Sequence, residues 1–264
     1  MRVVTNRRYV QTRARLGRLM TLGGFAALLG GLIYSFAGLG SQDQQAILVS
    51  YVALIAGYLL ISIGKNYWLR FSVRPRPDES LALNLKQLDV RHVLFNYVSA
   101  LPVSHLLLTS SGLIVIETRP FVGDIEVRGD RWSRRRGVMG WLQFLSEGAL
   151  GNPTRDAQRG IEEVRGHLVG RVGAEVADRV PIQGLVVFTH PRVALAIDDP
   201  TIAVAHARDA RDAVRRLASG PKLVTDVGRR VEAALLEDAS PEGEPVAAGA
   251  AVERKVRRRP SRAR

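Results

Sequence analysis

Charged residues are absent from Leu19 to Leu39, a run of 21 residues, and again from Ala46 to Gly64, a run of 19. Between them lies only the polar stretch Gly40-Ser41-Gln42-Asp43-Gln44-Gln45. Each run is close to the roughly 20 residues needed to cross about 30 Å of hydrocarbon. The pattern therefore predicts two membrane-spanning helices, 19–39 and 46–64, joined by a tight polar turn. Small residues recur at Gly23, Ala27 and Gly31 in the first run and at Ala53 and Gly57 in the second. Four-residue spacing puts each set on one helix face, where backbones can approach closely. Such faces suit the packing of one helix on the other, or of one hairpin on a second copy. Tyr67 and Trp68, just past the second run, suit the headgroup level.

After a linker over 65–77 that ends Arg74-Pro75-Arg76-Pro77, the periodicity becomes that of a mixed α/β domain over 78–237. Asp78 and Glu79 open a helical pattern with Leu81, Leu85 and Leu88 on one side, the acids matching the helix dipole. Strands are predicted at Val93 to Tyr97, at His105 to Thr109 and, past the turn Ser110-Ser111-Gly112, at Leu113 to Thr118. A further β-element is expected over Gly123 to Arg128 and on to Trp132. Asn152-Pro153 caps a helix carrying Ala157, Ile161, Val164, Leu168 and Val172 at helical spacing. Ile182 to Thr189 and Thr201 to Ala205 read as strands, with helices over Ala207 to Ala218 and Lys222 to Glu237. From Asp238 the composition offers nothing to bury, and 238–264 is expected to be a disordered basic tail.

Charge alters this picture chiefly at the two ends. The chain of 264 residues has a formal net charge of +13. Residues 1–18 contribute six arginines without an acid, and residues 251–264 contribute seven basic residues against Glu253. The folded middle is nearly neutral, so the net charge does not mark it as a nucleic-acid binder. The arginines before the first run, with Lys65, Arg70, Arg74 and Arg76 after the second, place both ends in the cytoplasm by the positive-inside rule. The apolar run is long and a second follows at once, which favours retained spans over a cleaved signal peptide. Cysteine is absent, excluding disulfides and thiolate zinc sites. The five histidines lack metal-ligand spacing, and there is no Walker, dinucleotide-binding or Ser-His-Asp pattern.

Candidate chemistry gathers where Ser104-His105 heads one predicted strand and Glu117-Thr118-Arg119 ends the next. This stretch, Leu106 to Arg119, resembles the nuclease-related domain family, NERD, whose fold is related to the restriction-endonuclease-like nucleases. Gly123-Asp124-Ile125, Trp132, Asn152-Pro153 and Gly184-Leu185-Val186-Val187-Phe188 extend the resemblance from about Asp78 to Phe188. It implies a restriction-endonuclease-like mixed sheet with flanking helices. It further implies an aspartate entering the hairpin, a glutamate ending the second strand and a lysine two residues on, with Mg²⁺ held by the carboxylates. Here Ser104 stands at the aspartate position and Arg119 at the lysine position, so Glu117 alone matches. Strand alternation points Glu117 and Arg119 to one face. Arginine can clamp a phosphate but cannot act as a base. A serine hydroxyl is a poor replacement for a carboxylate on Mg²⁺, leaving Asp124 or Glu79 as candidate second ligands.

Arg131, Arg134, Arg135 and Arg136, bracketed by Trp132 and Trp141, form a basic loop able to contact phosphates and stack a base. The sequence thus reads as a membrane-anchored NERD-type protein with a degenerate nuclease centre, binding nucleic acid without efficient cleavage. An active Mg²⁺-dependent hydrolase is the alternative, and a membrane scaffold that recruits a protein partner the third reading.

Overall fold

The computed structural model describes residues 1–38, 44–134 and 150–239. Two long helices lie near the N-terminus, α1 (Arg7–Gly38) and α2 (Gln44–Phe71). Both are long and apolar enough to cross a membrane. They present large apolar side chains outward, among them Leu22, Phe25, Leu29, Val52, Ile55 and Leu59. Of the connecting turn expected over 40–45, residues 40–43 lie outside the described residues, and Gln44 and Gln45 open α2. Helix α2 continues through Lys65 to Phe71, where the sequence suggested a linker, because its last turn still buries Phe71.

The seam between the two helices is built on a seven-residue repeat of glycine. A Cβ on Gly24 would come 2.7 Å from the Gly57 carbonyl, one on Gly17 2.8 Å from the Trp68 amide, and one on Gly31 2.9 Å from the Ala53 Cβ. Gly57 and Gly64 answer from α2, so the backbones touch where only hydrogen occupies the space. Gly23, expected on this face, instead looks outward with nothing within 4 Å. Seven residues fit two turns better than four fit one, so the seam follows Gly17, Gly24 and Gly31.

A strand not foreseen in the arginine-rich N-terminus, β1 (Arg2–Thr5), precedes the hairpin. It pairs in parallel with β2 (Val93–Asn96) in the domain that follows the hairpin, with Thr5 opposite Asn96. The six-stranded sheet continues through β3 (His105–Leu108), β4 (Leu113–Arg119), β7 (Ile182–Phe188) and β9 (Ala203–His206), in the order β1-β2-β3-β4-β7-β9. Strands β2, β3 and β4 form an antiparallel meander, and β4, β7 and β9 run parallel. At the β3–β4 turn a Cβ on Gly112 (φ +150°) would lie 2.3 Å from the Pro181 carbonyl oxygen, so glycine is required there.

Apolar residues on both faces make this a buried sheet. One face, with Phe95, Leu106, Leu108 and Val115, is covered by α4 (Pro153–Val172) and α7 (Thr225–Ala239). The other, with Leu94, Leu107, Ile114 and Ile116, is covered by α3 (Pro77–Leu85) and α6 (Ala210–Leu217). A short α5 (Ala174–Ala177) follows α4. The Asn152 side chain caps α4 by accepting from the Arg155 amide at 3.1 Å, with Pro153 at its first position, as expected. A second sheet, β6-β5-β8, joins β5 (Gly123–Arg128) and β6 (Arg131–Arg134) to a strand the sequence did not suggest, β8 (Val193–Asp198). Asp238, taken as the first residue of the tail, belongs to α7 and bonds His167 Nε2 at 2.7 Å and Arg171 Nε at 3.0 Å. Residues 240–264 of the expected tail lie outside the described residues.

Candidate functional site

Strand register brings the sequence candidates to one end of the large sheet. Thr5 lies opposite Asn96, Asn96 opposite His105, and Leu106 opposite Val115, so Ser104 and Glu117 are carried side by side at the ends of β3 and β4. Helix α1 leaves from this end two residues after Thr5, and Phe71 of α2 returns to it. Val10, Ala14, Phe71 and Tyr97 close the junction as a small apolar cluster. Tyr97 packs 5.3 Å from the Phe71 ring and 6.0 Å from Tyr9. Arg13 sits over the Tyr9 and Tyr67 rings and donates to the Tyr67 hydroxyl at 2.9 Å.

Glu117 and Arg119 share the face of β4 that α4 covers, as strand alternation requires. Arg119 Nη1 lies 3.2 Å from Glu117 Oε1, and its Nη2 bonds Asp156 in the first turn of α4. One guanidinium therefore holds two carboxylates from two elements. Its third nitrogen, Nε, is buried without a hydrogen-bond partner among the described residues. Burial raises the Glu117 pKa above the usual carboxylate range, while the charges of Arg119 and Arg70 pull it back and Asp156 pushes it further up. Gly160, one turn beyond Asp156, admits this close approach of α4. A Cβ there would lie 3.0 Å from Val103 and 3.1 Å from Val115.

Asp156 was not among the sequence candidates. An acid in the first turn of a capped helix reads as a complement to the helix dipole, and nothing in its spacing from Arg119 reveals the contact.

Ser104 Oγ accepts from Arg70 Nη2 at 2.7 Å, a bond from the last turn of α2 into the domain. Next to it His105 is fully buried. Its Nδ1 lies 2.8 Å from Asn96 Oδ1, and Asn96 Nδ2 donates to Thr5 Oγ1 at 3.2 Å, tying β1, β2 and β3 together. Because Asn96 Oδ1 can only accept, His105 carries its proton on Nδ1, and Nε2 is a buried acceptor without a partner among the described residues. Burial, aided by Arg70, lowers the His105 pKa to about 3. Burial likewise raises that of Tyr97 to about 12.

The other sequence candidates lie elsewhere. Glu79 sits on α3, which packs on the opposite face of the sheet from Glu117. Its carboxylate accepts from the Arg76 amide at 3.2 Å and pairs with the Arg76 guanidinium at 3.1 Å. Asp124 is exposed on β5 in the second sheet. Trp132 donates its indole N–H to Thr154 Oγ1 at 2.8 Å and packs 5.9 Å from the Phe188 ring, within an apolar cluster that includes Phe121 and Ile125. Arg131 is exposed opposite Arg128, and Arg134 lies over the Phe121 ring. Arg135, Arg136 and Trp141 lie outside the described residues. Among the described residues no group of three or more His, Cys, Asp or Glu side chains is placed to hold a metal ion.

Residues 79–189 match the family model of NERD, the nuclease-related domain. No curated protein and no solved structure matches the chain.

Proposed function

With residues 79–189 forming a nuclease-related domain, we propose that the protein is a membrane-anchored nucleic-acid-binding protein whose nuclease-type centre grips phosphate without cleaving it efficiently. The observation that carries this reading is Arg119, which holds Glu117 and Asp156 at once while its Nε–H stays buried and unpartnered. Mg²⁺ takes hard, anionic oxygen ligands in near-octahedral geometry. The residues at this centre do not fit it. The hydroxyl of Ser104 is engaged by Arg70, and both carboxylates beside it are engaged by Arg119. Two guanidinium groups, set against Asp156 and a Glu117 whose charge burial disfavours, suit an incoming anion better than a cation.

The apolar surface of α1 and α2, which water would solvate poorly, supports anchoring. The pairing of β1 with β2 supports one side of the membrane for the N-terminal strand and the domain. The arginines before the first span favour the cytoplasmic side.

Asp156 gives the hydrolase reading its one specific support, since it supplies a second carboxylate on the face of Glu117. A metal would then have to displace Arg119 from both. The test is binding of a labelled oligonucleotide by the full chain in zwitterionic nanodiscs across a salt series. Phosphate contact predicts a log–log slope of about −0.7 per phosphate on single strands. Salt-independent capture of a protein, without oligonucleotide binding, would favour the scaffold.

A further inference from the structure

One side chain crosses from the membrane hairpin into the domain. Arg70 lies in the last turn of α2, two residues beyond Trp68, and its Nη2 donates to Ser104 Oγ at 2.7 Å. Its guanidinium rests over the Phe71 ring, 5.8 Å from the centroid, and Phe71 is itself buried against Tyr97. The position is therefore fixed from both sides of the junction. A guanidinium has five N–H donors, and its bond to Ser104 is to a neutral hydroxyl that does not itself offset the charge. That charge acts on Glu117. Glu117 thus pairs with Arg119 on its own strand and lies beside Ser104, the partner of Arg70 from the second long helix.

We propose that Arg70, carried by the second membrane helix, is a ligand-contacting residue of the nucleic-acid site, clamping a backbone phosphate together with Arg119 so that the hairpin completes the site. This rests on the nucleic-acid reading above and adds to it the residue that ties recognition to the membrane. A planar guanidinium fork matches the paired oxygens of a phosphate. The two forks approach from different elements, Arg70 from α2 beside Ser104 and Arg119 from the end of β4. Serine at position 104 keeps Arg70 available, because a carboxylate there would pair with the guanidinium and cancel its charge. A domain cut from its hairpin would lose Arg70 and, with it, half of the clamp. The rival role for an arginine at a helix end is to snorkel to lipid headgroups, which needs no domain partner.

The experiment measures binding of a fluorescein-labelled single-stranded oligonucleotide to the full chain in phosphatidylcholine nanodiscs, across a salt series. It compares wild type with Arg70→Gln, Arg70→Lys and Ser104→Asp. Arg70→Gln is expected to weaken binding several-fold and to reduce the log–log salt slope by about 0.7, the loss of one phosphate contact. Arg70→Lys should keep the slope and lose part of the affinity, since lysine holds phosphate as a point charge. Ser104→Asp should reproduce the Arg70→Gln slope by pairing Arg70 in place, and it carries the test should Arg70→Gln disturb the junction. Wild-type affinity and slope in both Arg70→Gln and Ser104→Asp would overturn the proposal and leave Arg70 a lipid-facing anchor, with the nucleic-acid reading intact. Failure of wild type to bind would overturn both.

Discussion

Acid should loosen the junction end of the large sheet through His105. The ring is fully buried, its Nδ1–H is committed to Asn96, and Nε2, the atom that would take a second proton, has no acceptor within reach among the described residues. Its pKa falls from 6.5 to about 3, chiefly because burial penalises the charged ring, with Arg70 adding repulsion. A depressed folded-state pKa means that the unfolded chain binds more protons below about 6.5. The stability tied to neutral His105 is therefore complete above that pH and lost as pH falls toward about 3. At roughly 1.4 kcal/mol per unit of pH, the loss between about pH 6.5 and about pH 5 is about 2 kcal/mol. Glu117 carries the opposite sign. Its pKa is raised, so its native state gains in stability as pH falls through the folded value, which lies above the ordinary 4.5. Substituting His105 isolates its own share. Amide hydrogen exchange over Val93–Asn96, His105–Leu108 and Leu113–Arg119, corrected for the intrinsic rate, reads the opening free energy of the full chain in detergent. Between pH 7 and pH 5 wild type is expected to lose about 2 kcal/mol more protection than His105→Gln. His105→Gln starts lower, by about 1–2 kcal/mol for the imperfect replacement of a buried hydrogen-bonding group, and its acid limb keeps only the contributions of the other groups, the gain from Glu117 and the loss from His92 among them. Acid limbs of wild type and His105→Gln that agree within about 0.5 kcal/mol would show that His105 does not carry the loss.

Other parts of the structure give equally direct expectations. Gly57→Leu forces a side chain into the space 2.9 Å from the Gly24 carbonyl, and should separate α1 from α2, read as a longer distance between spin labels at the outward-facing Leu29 and Ile55. Deleting residues 2–5 removes the edge strand paired with β2 and the Thr5 partner of Asn96, and should lower exchange protection across β2 and β3 while leaving α4 and β7 less affected. Gly160→Leu should push α4 off β4 and part Asp156 from Arg119, read as lower exchange protection across α4. Ser104→Asp with Arg119→Lys, which restores the residue types of an active nuclease centre, should gain Mg²⁺-dependent cleavage only when Arg70→Gln is added, because Arg70 otherwise pairs with the new carboxylate.

The sequence was most readable where one signal dominated. The two charge-free runs gave the helices, and alternation with the Ser110-Ser111-Gly112 turn gave the β3–β4 hairpin that carries the site. Strand β1 was hidden because Val3 and Val4 are too few to show alternation, and their partner strand lies some ninety residues away beyond two apolar helices. Four-residue spacing places Gly31, Ala53 and Gly57 in the glycine seam but misplaces Gly23, because Gly17, Gly24 and Gly31 repeat by seven. Glu117 and Arg119 could be placed on one face from strand periodicity alone. Asp156 and Arg70 could not, since one looked like a dipole acid and the other like a positive-inside arginine. Both join the site only through tertiary packing.

The account turns on whether the Glu117–Arg119 centre holds nucleic acid intact. The most direct measurement incubates the full chain in zwitterionic nanodiscs with an end-labelled oligonucleotide and excess Mg²⁺ or Mn²⁺, and follows bound fraction and strand length together, for wild type and Glu117→Ala. The account predicts salt-sensitive binding with the strand at full length in both proteins. Metal-dependent shortening of the strand by wild type that disappears in Glu117→Ala would contradict it, and would mean that Asp156 and Glu117 part from Arg119 to hold the metal.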